Sequence, residues 1–125
     1  MIPFGNDTVT LIRRTQKETD GKRYAVYTRH MLHGCSWRRK ISWRGFDTER
    51  TLVNEITCRI PANNPRPNAG DCLFLGEISD EITDSRSLNA AINAHRESGA
   101  FRITTVSDNT RPGMPLPHFS AFGEG

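Results

Sequence analysis

A chain of 125 residues with 35% hydrophobic residues has the size and composition of one water-soluble domain that buries its own core. Its net charge of +3 permits contact with nucleic acid without requiring it. No apolar run reaches the length of a membrane span. The N-terminal segment MIPFGNDTVT has neither the basic nor the apolar region of a signal peptide. We therefore expect synthesis in the cytoplasm and no membrane partner.

The first half of the chain predicts a hairpin followed by a third strand. Residues 8–14 and 23–32 both alternate between apolar and polar side chains, and the pair Asp20–Gly21 between them is a turn signal of two-stranded hairpins. The next stretch, CSWRRKISWR, alternates again and predicts a strand over 35–44. One face of this strand holds Cys35, Trp37, Arg39, Ile41 and Trp43, and the other holds Ser36, Arg38, Lys40, Ser42 and Arg44.

The two faces of the 35–44 strand carry different expectations. We expect Trp37 and Trp43 to lie in the core or at an interface. The cations Arg38, Lys40 and Arg44 are expected to be exposed. A row of three cations suits contact with the phosphates of DNA regardless of base sequence, and it also describes the solvated side of an ordinary half-buried strand. A membrane-surface segment is excluded because the aromatic side chains point away from the cations.

The second half of the chain predicts three more strands. Residues 54–60 alternate cleanly between apolar and polar side chains, which indicates a half-buried strand. Residues 71–78 are almost continuously apolar, which is typical of a central strand covered on both faces. Residues 100–107 place Phe101 and Ile103 on one face. The inward face of the 54–60 strand is predicted to hold Ile56, Cys58 and Ile60.

One helix is predicted between these strands, over about residues 85–98. Asp84, Ser85 or Ser87 can cap its start, and Gly99 stands where a left-handed residue ends many helices. The apolar stripe of this helix is narrow, so we expect it to lie against the outside or one end of a barrel. Six short strands with one helix predict a mainly β fold, namely a small antiparallel β-barrel or sandwich. The apolar stripe consists of Leu88, Ala91, Ile92 and His95.

Proline-rich segments predict one long loop inside the domain and one extended arm after it. The segment PANNPRPNAG, residues 61–70, is predicted to be a loop, and the tail DNTRPGMPLPHF is predicted to be extended. We therefore expect a β-barrel domain over residues 1–110 and an extended C-terminal arm over residues 111–125. The arm either contacts a neighbouring subunit or folds back as a strap over its own barrel, and in the first case a chain without it should still fold. The candidate interface residues of the arm are Arg111, Pro112, Met114, Leu116, His118 and Phe119.

No arrangement in the sequence identifies catalytic chemistry. Cys35, Cys58 and Cys72 make an odd count at wide spacing, which argues against a disulfide framework and for reduced, buried thiols. The trio of His30, His33 and Cys35 lacks the paired C-x-x-C spacing of a structural zinc site. Glycine-rich phosphate loops and kinase, hydrolase or zincin motifs are absent from the sequence. We predict that the protein is not an enzyme and has no catalytic residues, no metal and no cofactor.

Several segments of the sequence carry a family resemblance. The segments MIPFGNDTVTLIRR, GCSWRR, TCRIPA, GDCLFLGEI and SGAFRITTVSDNTRPGMPLPHF resemble those of short minor structural proteins encoded in the head–tail gene block of tailed bacteriophages and prophages of Gram-positive bacteria. The resemblance spans most of the chain. It implies a small β-barrel protein that acts as a stopper, or head-completion, ring around the DNA channel in the virion neck. This ring is non-enzymatic and is synthesised in the host bacterial cytoplasm.

The resemblance also implies a set of partners. These are further copies of the chain, an adaptor or portal-side protein, a tail-side protein and packaged double-stranded DNA, held without base specificity. Six compact spheres of this chain length enclose a hole of about 36 Å, whereas twelve enclose roughly 100 Å, so we expect six copies. We expect the segments 44–52 and 61–70 to narrow that hole.

Two alternatives stay beside the stopper hypothesis. The first is a tail-terminator or adaptor in the same neck, although adaptors tend towards helical bundles. The second is a small nucleic-acid-binding β-barrel. Such a barrel presents aromatic side chains on the same exposed face as its cations, so that bases can stack. The alternation of residues 35–44 separates tryptophans from cations and therefore favours the neck protein.

Overall fold

The structure is a computed structural model that describes residues 7–44, 51–110 and 117–124, with side chains described for 7–41, 54–110 and 117–124. Within these ranges all neighbouring strands pair antiparallel in one sheet, in the order β5-β4-β1-β2-β3-β7-β6. The predicted mainly β fold with one helix is confirmed. The elements are β1 (Asp7–Thr19), β2 (Lys22–Arg44), β3 (Thr51–Pro61), β4 (Cys72–Leu75), α1 (Ser85–Gly99), β5 (Ala100–Arg102), β6 (Thr105–Asn109) and β7 (His118–Glu124).

A short connection in the chain brings the two end strands of the sheet close together. β5 and β6 stand at opposite ends of the strand order, yet Ile103 and Thr104 alone connect them. The backbone N–H of Ile103 donates to the carbonyl of Asp71 at 2.8 Å, and that of Thr104 donates to the carbonyl of Phe122 at 2.9 Å. These bonds fasten the connection to both ends of the sheet. The sheet therefore curls into a small barrel-like shape.

Strand β2 is one long strand where the sequence predicted two. Its first part pairs with β1 up to Cys35, and its second part pairs with β3 from Ser36 onwards. The register shifts between the Asp7 and Val9 pairs, and Gly34 has a φ of 71° at this point. An extra residue with positive φ is typical of a β-bulge, which bends a strand without ending it. β2 therefore runs continuously from one half of the sheet to the other.

The main core fills the inside of the curled sheet. The three residues predicted to face inward from β3 are all buried, with at most 1% exposure. Phe101 and Ile103 lie in the same cluster, as their alternation predicted. The fully buried cluster is Val9, Leu11, Leu32, Cys35, Ile56, Cys58, Ile60, Leu73, Phe101, Ile103, Phe119 and Ala121.

A second core lies between the outer side of the sheet and helix α1. Alternation along β4 points Leu73 into the barrel, while Cys72 and Phe74 pack in the helix-side cluster. β4 is therefore covered on both faces, and α1 lies on the outside of the barrel, as predicted. In the described part of the chain, no helix is long and apolar enough to cross a membrane. The helix-side cluster is Ile12, Cys72, Phe74, Ile78, Leu88, Ala91 and Ala100.

Asp84 is the residue that caps α1. Its carboxylate accepts a hydrogen bond of 2.7 Å from the backbone N–H of Ser87, and the Ser87 hydroxyl accepts one from the Asp84 N–H at 3.1 Å. This reciprocal arrangement is a capping box. The hydrogen bonds from Ser87 lower the pKa of the Asp84 carboxyl from its usual value.

Replacement of Asp84 by alanine is expected to destabilise the protein in a pH-dependent way. A lowered folded-state pKa means that the carboxylate stabilises the fold above its unfolded-state pKa and loses this effect as the pH falls through the folded-state value. The difference in urea midpoint between wild type and D84A should be constant above about pH 5 and shrink below about pH 4. The neighbouring S85A variant is the control, and a pH-independent difference for D84A would contradict the argument.

The C-terminal segment corrects the predicted domain boundary. Residues His118–Glu124 form β7, which pairs with β3 on one side and β6 on the other, so this part of the chain is an integral strand of the barrel. Phe119 is 8% exposed and lies in the main core, and His118 is half-buried. The sequence predicts an arm here because the prolines before these residues mask the alternation of Phe119, Ala121 and Gly123. The other candidate arm residues lie outside the described ranges: Arg111, Pro112, Met114 and Leu116.

Candidate functional site

The predicted basic stripe lies on the outer face of the β2–β3–β7 part of the sheet. Arg38 and Lys40 are both exposed, as expected, whereas the side chain of Arg44 lies outside the described ranges. In register, Lys40 stands opposite Glu55, and Glu55 stands opposite Glu124. Residues directly opposite on neighbouring strands have Cβ atoms about 5 Å apart. Lys40 therefore shares its row with two carboxylates, and the stripe is part of a surface of mixed charge.

An exposed aromatic side chain stands in the next row of this face. Arg38 is opposite Thr57, and Thr57 is opposite Phe122, whose side chain is 38% exposed. Arg59, one row further along, is also exposed. The outer face thus combines cations with an aromatic ring, a combination that the alternation of β2 alone did not indicate. Phe122 was missed because it belongs to β7, far from β2 in sequence.

The other face of β2, which holds Trp37 and Ile41, packs against the core only along the first part of this stretch. Trp37 is half-buried against the main core, and its ring packs edge-on against Phe101 with centroids 5.2 Å apart, which confirms the expectation for this residue. Ile41, on the same face, is 63% exposed, so this apolar face is not covered along the whole strand. The β2–β3 ribbon has passed the end of the barrel there. The side chain of Trp43 lies outside the described ranges.

The β1–β2 hairpin projects from the barrel at another point. Every residue from 14 to 25 is exposed, and we call this segment the hairpin arm. Its turn has positive φ at both central residues, 54° at Asp20 and 74° at Gly21. This is the type I′ geometry that matches the twist of a hairpin, so the turn predicted from the sequence is confirmed. How far the arm is exposed was not predicted.

The two faces of the hairpin arm differ in charge. On one face Lys17 stands opposite Tyr24, and Thr19 stands opposite Lys22. On the other face Glu18 stands opposite Arg23. The face with the two lysines continues the barrel-interior side of β1 and β2 and carries no carboxylate on its paired strand positions. Tyr24 is 49% exposed on it. We call this side, residues 15, 17, 19, 22 and 24, the basic face of the arm.

The proline-rich loop 61–70, one of the two segments predicted to narrow the ring opening, is held against the barrel by side-chain contacts. The side-chain amide of Asn64 accepts a hydrogen bond from the His33 backbone N–H and donates one to the His33 carbonyl, both at 3.0 Å. Arg13 donates to the carbonyl of Arg66 and forms an ion pair of 2.9 Å with Asp71. These contacts hold both ends of the loop. In the other segment predicted to narrow the opening, 44–52, residues 45–50 lie outside the described ranges.

A polar groove of about 400 Å³ lies between α1 and β5. Asn89 and Asn93 line it together with Arg96 and Arg102, and each amide accepts a hydrogen bond from one guanidinium, at 3.4 Å for Arg102 and 3.0 Å for Arg96. Glu124 also lines the groove. Two guanidiniums and one carboxylate therefore share this groove.

All three cysteines are free and buried, as predicted. The pKa of the Cys58 thiol is raised well above its usual value, first by a hydrogen bond with Cys35 and then by burial. Burial also raises the pKa of Cys72. A thiol held in its neutral form is a poor nucleophile, so these side chains serve as small core residues. Among the residues that the structure describes, no three His, Cys, Asp or Glu side chains come together as a metal site.

The native protein is expected to resist thiol reagents. Cys35, Cys58 and Cys72 should react with Ellman's reagent slowly in buffer and all at once in guanidinium chloride, because access requires unfolding. A T19C variant supplies the control, since its new thiol lies on the exposed arm and should react immediately. Rapid native labelling of the wild-type chain would contradict the buried placement.

A model of the Family of unknown function (DUF6751) matches residues 4–124. The chain belongs to the DUF6751 family. A search of curated proteins gives no match. The DUF6751 match includes all of β7, so the last strand belongs to the same family unit as the rest of the barrel.

Proposed function

We propose that this DUF6751 protein is a non-enzymatic structural subunit of the head–tail connector of a tailed phage or prophage, of the stopper or head-completion type. In this proposal several copies form a ring around the DNA channel, between an adaptor or portal-side protein and a tail-side protein. The proposal starts from the sequence resemblance to phage neck proteins. The observation that carries it further is the hairpin arm, which stands clear of a small closed core.

The hairpin arm is a two-stranded ribbon that is not packed on the barrel. Such a ribbon contributes little to the stability of the fold, so its presence points to a role in binding. Isolated hairpins are marginal in water, and none of the residues from 14 to 25 is buried against the barrel. The paired strand Arg14–Thr19 extends over about 17 Å. An element of this kind suits a subunit that contacts neighbours or reaches into a channel. It therefore supports a role in assembly.

The length of the hairpin arm fits the opening of a six-fold ring. Six spheres of this chain length enclose a hole of about 36 Å. Arms of about 17 Å that point inward from opposite subunits would span nearly all of that hole. The hairpin arm thus replaces loop 61–70 as the candidate narrowing element. Cations on the outer face, such as Arg38 and Arg59, provide loose contact with DNA phosphates without base specificity.

Deletion of the gene from its phage or prophage tests the proposal. We expect heads that package DNA but do not retain it, and tails that remain unattached, with both defects restored by the gene supplied in trans. An epitope-tagged copy should lie at the neck, and a symmetry-resolved map should show six copies there. Infectious particles without the protein would overturn the proposal. A map with the protein above or below the stopper position would assign it to an adaptor or a tail terminator instead.

A nucleic-acid-binding barrel is the second candidate, and the Arg38–Thr57–Phe122 row favours it. Base stacking on Phe122 beside Arg38 would bind single strands without sequence preference. Fluorescence anisotropy with a labelled single-stranded oligonucleotide tests this function. F122A and R38A should each weaken binding about ten-fold if the row is used, whereas I41A should have no effect. Absence of binding by the wild-type protein at low salt would exclude this candidate.

A further inference from the structure

The two lysines of the arm's basic face have no ion-pair partner within the described part of the chain. Lys17 and Lys22 lie on adjacent strands of the arm, and the pairing places both on the side of Tyr24. All three side chains are exposed, and Tyr24 exposes 49% of its surface. Two cations beside an exposed aromatic ring form a surface that a carboxylate-rich partner would fit.

A segment with the complementary charge lies on the other side of the same sheet. Residues 77–84 carry four carboxylates and no cation. The guanidinium of Arg29 donates to the carbonyls of Ile78 and Asp80, and so holds this segment against β2. Arg29 is opposite Ile12, and Ile12 and Ile78 both lie in the helix-side cluster. The segment is therefore fixed on the helix side, where the arm begins, and the basic face lies on the barrel-interior side.

Two of the four carboxylates are available to a partner. Asp80 is bound to His95 at 2.8 Å, and Asp84 caps helix α1. Glu77 and Glu81 are exposed, and within the described ranges neither forms an ion pair. We call Glu77 and Glu81, with the exposed Ser79 between them, the acidic face.

We propose that the basic face of one copy binds the acidic face of a second copy, so that the chain associates head to tail. The two faces lie on opposite sides of one sheet, so a single chain cannot bring them together. A two-fold arrangement of either face against itself would place like charges opposite each other, which is unfavourable. A two-fold dimer that pairs the basic face with the acidic face twice would need both faces on the side that meets the partner, whereas they lie on opposite sides of the sheet. A head-to-tail contact repeats in the same direction and closes into a ring when its rotation permits. The inference deepens the proposed ring function and rests on it for the biological setting.

Directed disulfide formation in the purified protein tests this contact. A T19C chain places a thiol beside Lys22 on the basic face, and an S79C chain places one between Glu77 and Glu81. The two chains carry different tags and are mixed at low salt with a mild oxidant. We expect the mixed dimer to form at least five-fold faster than either homodimer, and this preference to disappear in 1 M salt, where the Debye length is about 3 Å. Equal rates for mixed and identical pairs would overturn the inference.

Charge exchange provides the decisive second measurement. K17E/K22E in the T19C chain should abolish the preference, E77K/E81K in the S79C chain should do the same, and the two reversed chains together should restore it. R14E/R23E makes the same charge change on the other face of the arm and should leave the preference intact. Failure of restoration would overturn the head-to-tail contact. Retained folding of each variant is checked by its urea midpoint.

The outcome is separable from that of the proposed function. The cross-linking uses the purified chain and needs no phage particle, whereas the neck assignment depends on gene deletion and microscopy. A charge-dependent mixed dimer from a chain that is absent from virions would uphold the contact and remove the stopper role. A chain that is located in the neck but forms no mixed dimer would support the stopper role and overturn the contact.

Discussion

A chain that ends at Thr110 is expected not to fold. β7 pairs with β3 along Glu55–Pro61 and with β6 along Thr105–Asn109, so its removal leaves two strands without their common neighbour. It also removes Phe119 and Ala121 from the main core. We expect the far-UV circular dichroism of the 1–110 chain to lack a β signal and its urea curve to lack a cooperative transition.

The control for this truncation keeps the strand and changes the linker. A full-length chain in which residues 111–116 are replaced by a glycine–serine segment of equal length should fold, since β7 can still pair with β3 and β6. A cooperative transition in the 1–110 chain would show that β7 is dispensable. That result would restore the interpretation of the whole tail as an arm for a neighbouring subunit.

Replacement of Phe101 by alanine is expected to lower the free energy of unfolding by about 3–5 kcal/mol. Phe101 is 1% exposed, contacts the ring of Trp37, and lies so close to Gly123 that a Cβ at Gly123 would be 2.3 Å from its ring. Its ring therefore fills the space where β5 and β7 come together. Its loss would leave a cavity that the tight backbone cannot close.

Phe122 is the matched control for this measurement. It is the same residue type, but it is 38% exposed on the outer face, so F122A should lower the free energy of unfolding by about 1 kcal/mol, well below the loss for F101A. Urea denaturation of both variants provides the comparison. Equal losses for F101A and F122A would mean that the two rings do not differ in burial as the structure places them.

The features predicted correctly from the sequence depend on local signals. Asp20–Gly21 specifies its turn through the backbone geometry these residues tolerate, and Asp84 caps its helix through residues within one turn. The alternation of residues 54–60 shows directly which side chains of β3 are buried. Each of these signals is contained in a few consecutive residues, and sequence patterns record such information.

The features that were missed depend on partners distant in sequence. Nothing in the tail indicates that His118–Glu124 enters the sheet between β3 and β6, because the preceding prolines suggest an extended segment. Ile41 alternates like a buried residue, yet the barrel ends before it, and its 63% exposure depends on where the other strands stop. Alternation specifies which face a side chain occupies, and the rest of the fold decides whether that face is covered.

The candidate surfaces also combine residues that local sequence identifies with residues that only the pairing of distant strands brings together. The cations Arg38 and Lys40 were identified from β2 alone, and their exposure is confirmed. The carboxylates that share the row of Lys40 come from β3 and β7, as Glu55 and Glu124, and therefore could not be inferred from the stretch 35–44. The basic face of the hairpin arm likewise required the register of two strands to place Lys17 and Lys22 together.

The hydrogen bonds between Asn64 and His33 protect part of an unpaired strand edge, which favours solubility. From Lys22 to Leu32, β2 pairs with β1 on one side, and within the described ranges no strand pairs with its other edge. Such an edge can recruit further chains and start aggregation. The amide of Asn64 occupies both backbone groups of His33 on β2, as a neighbouring strand would. A strand added to this edge must therefore stop before His33, which limits the length of β2 that is available for pairing with another chain.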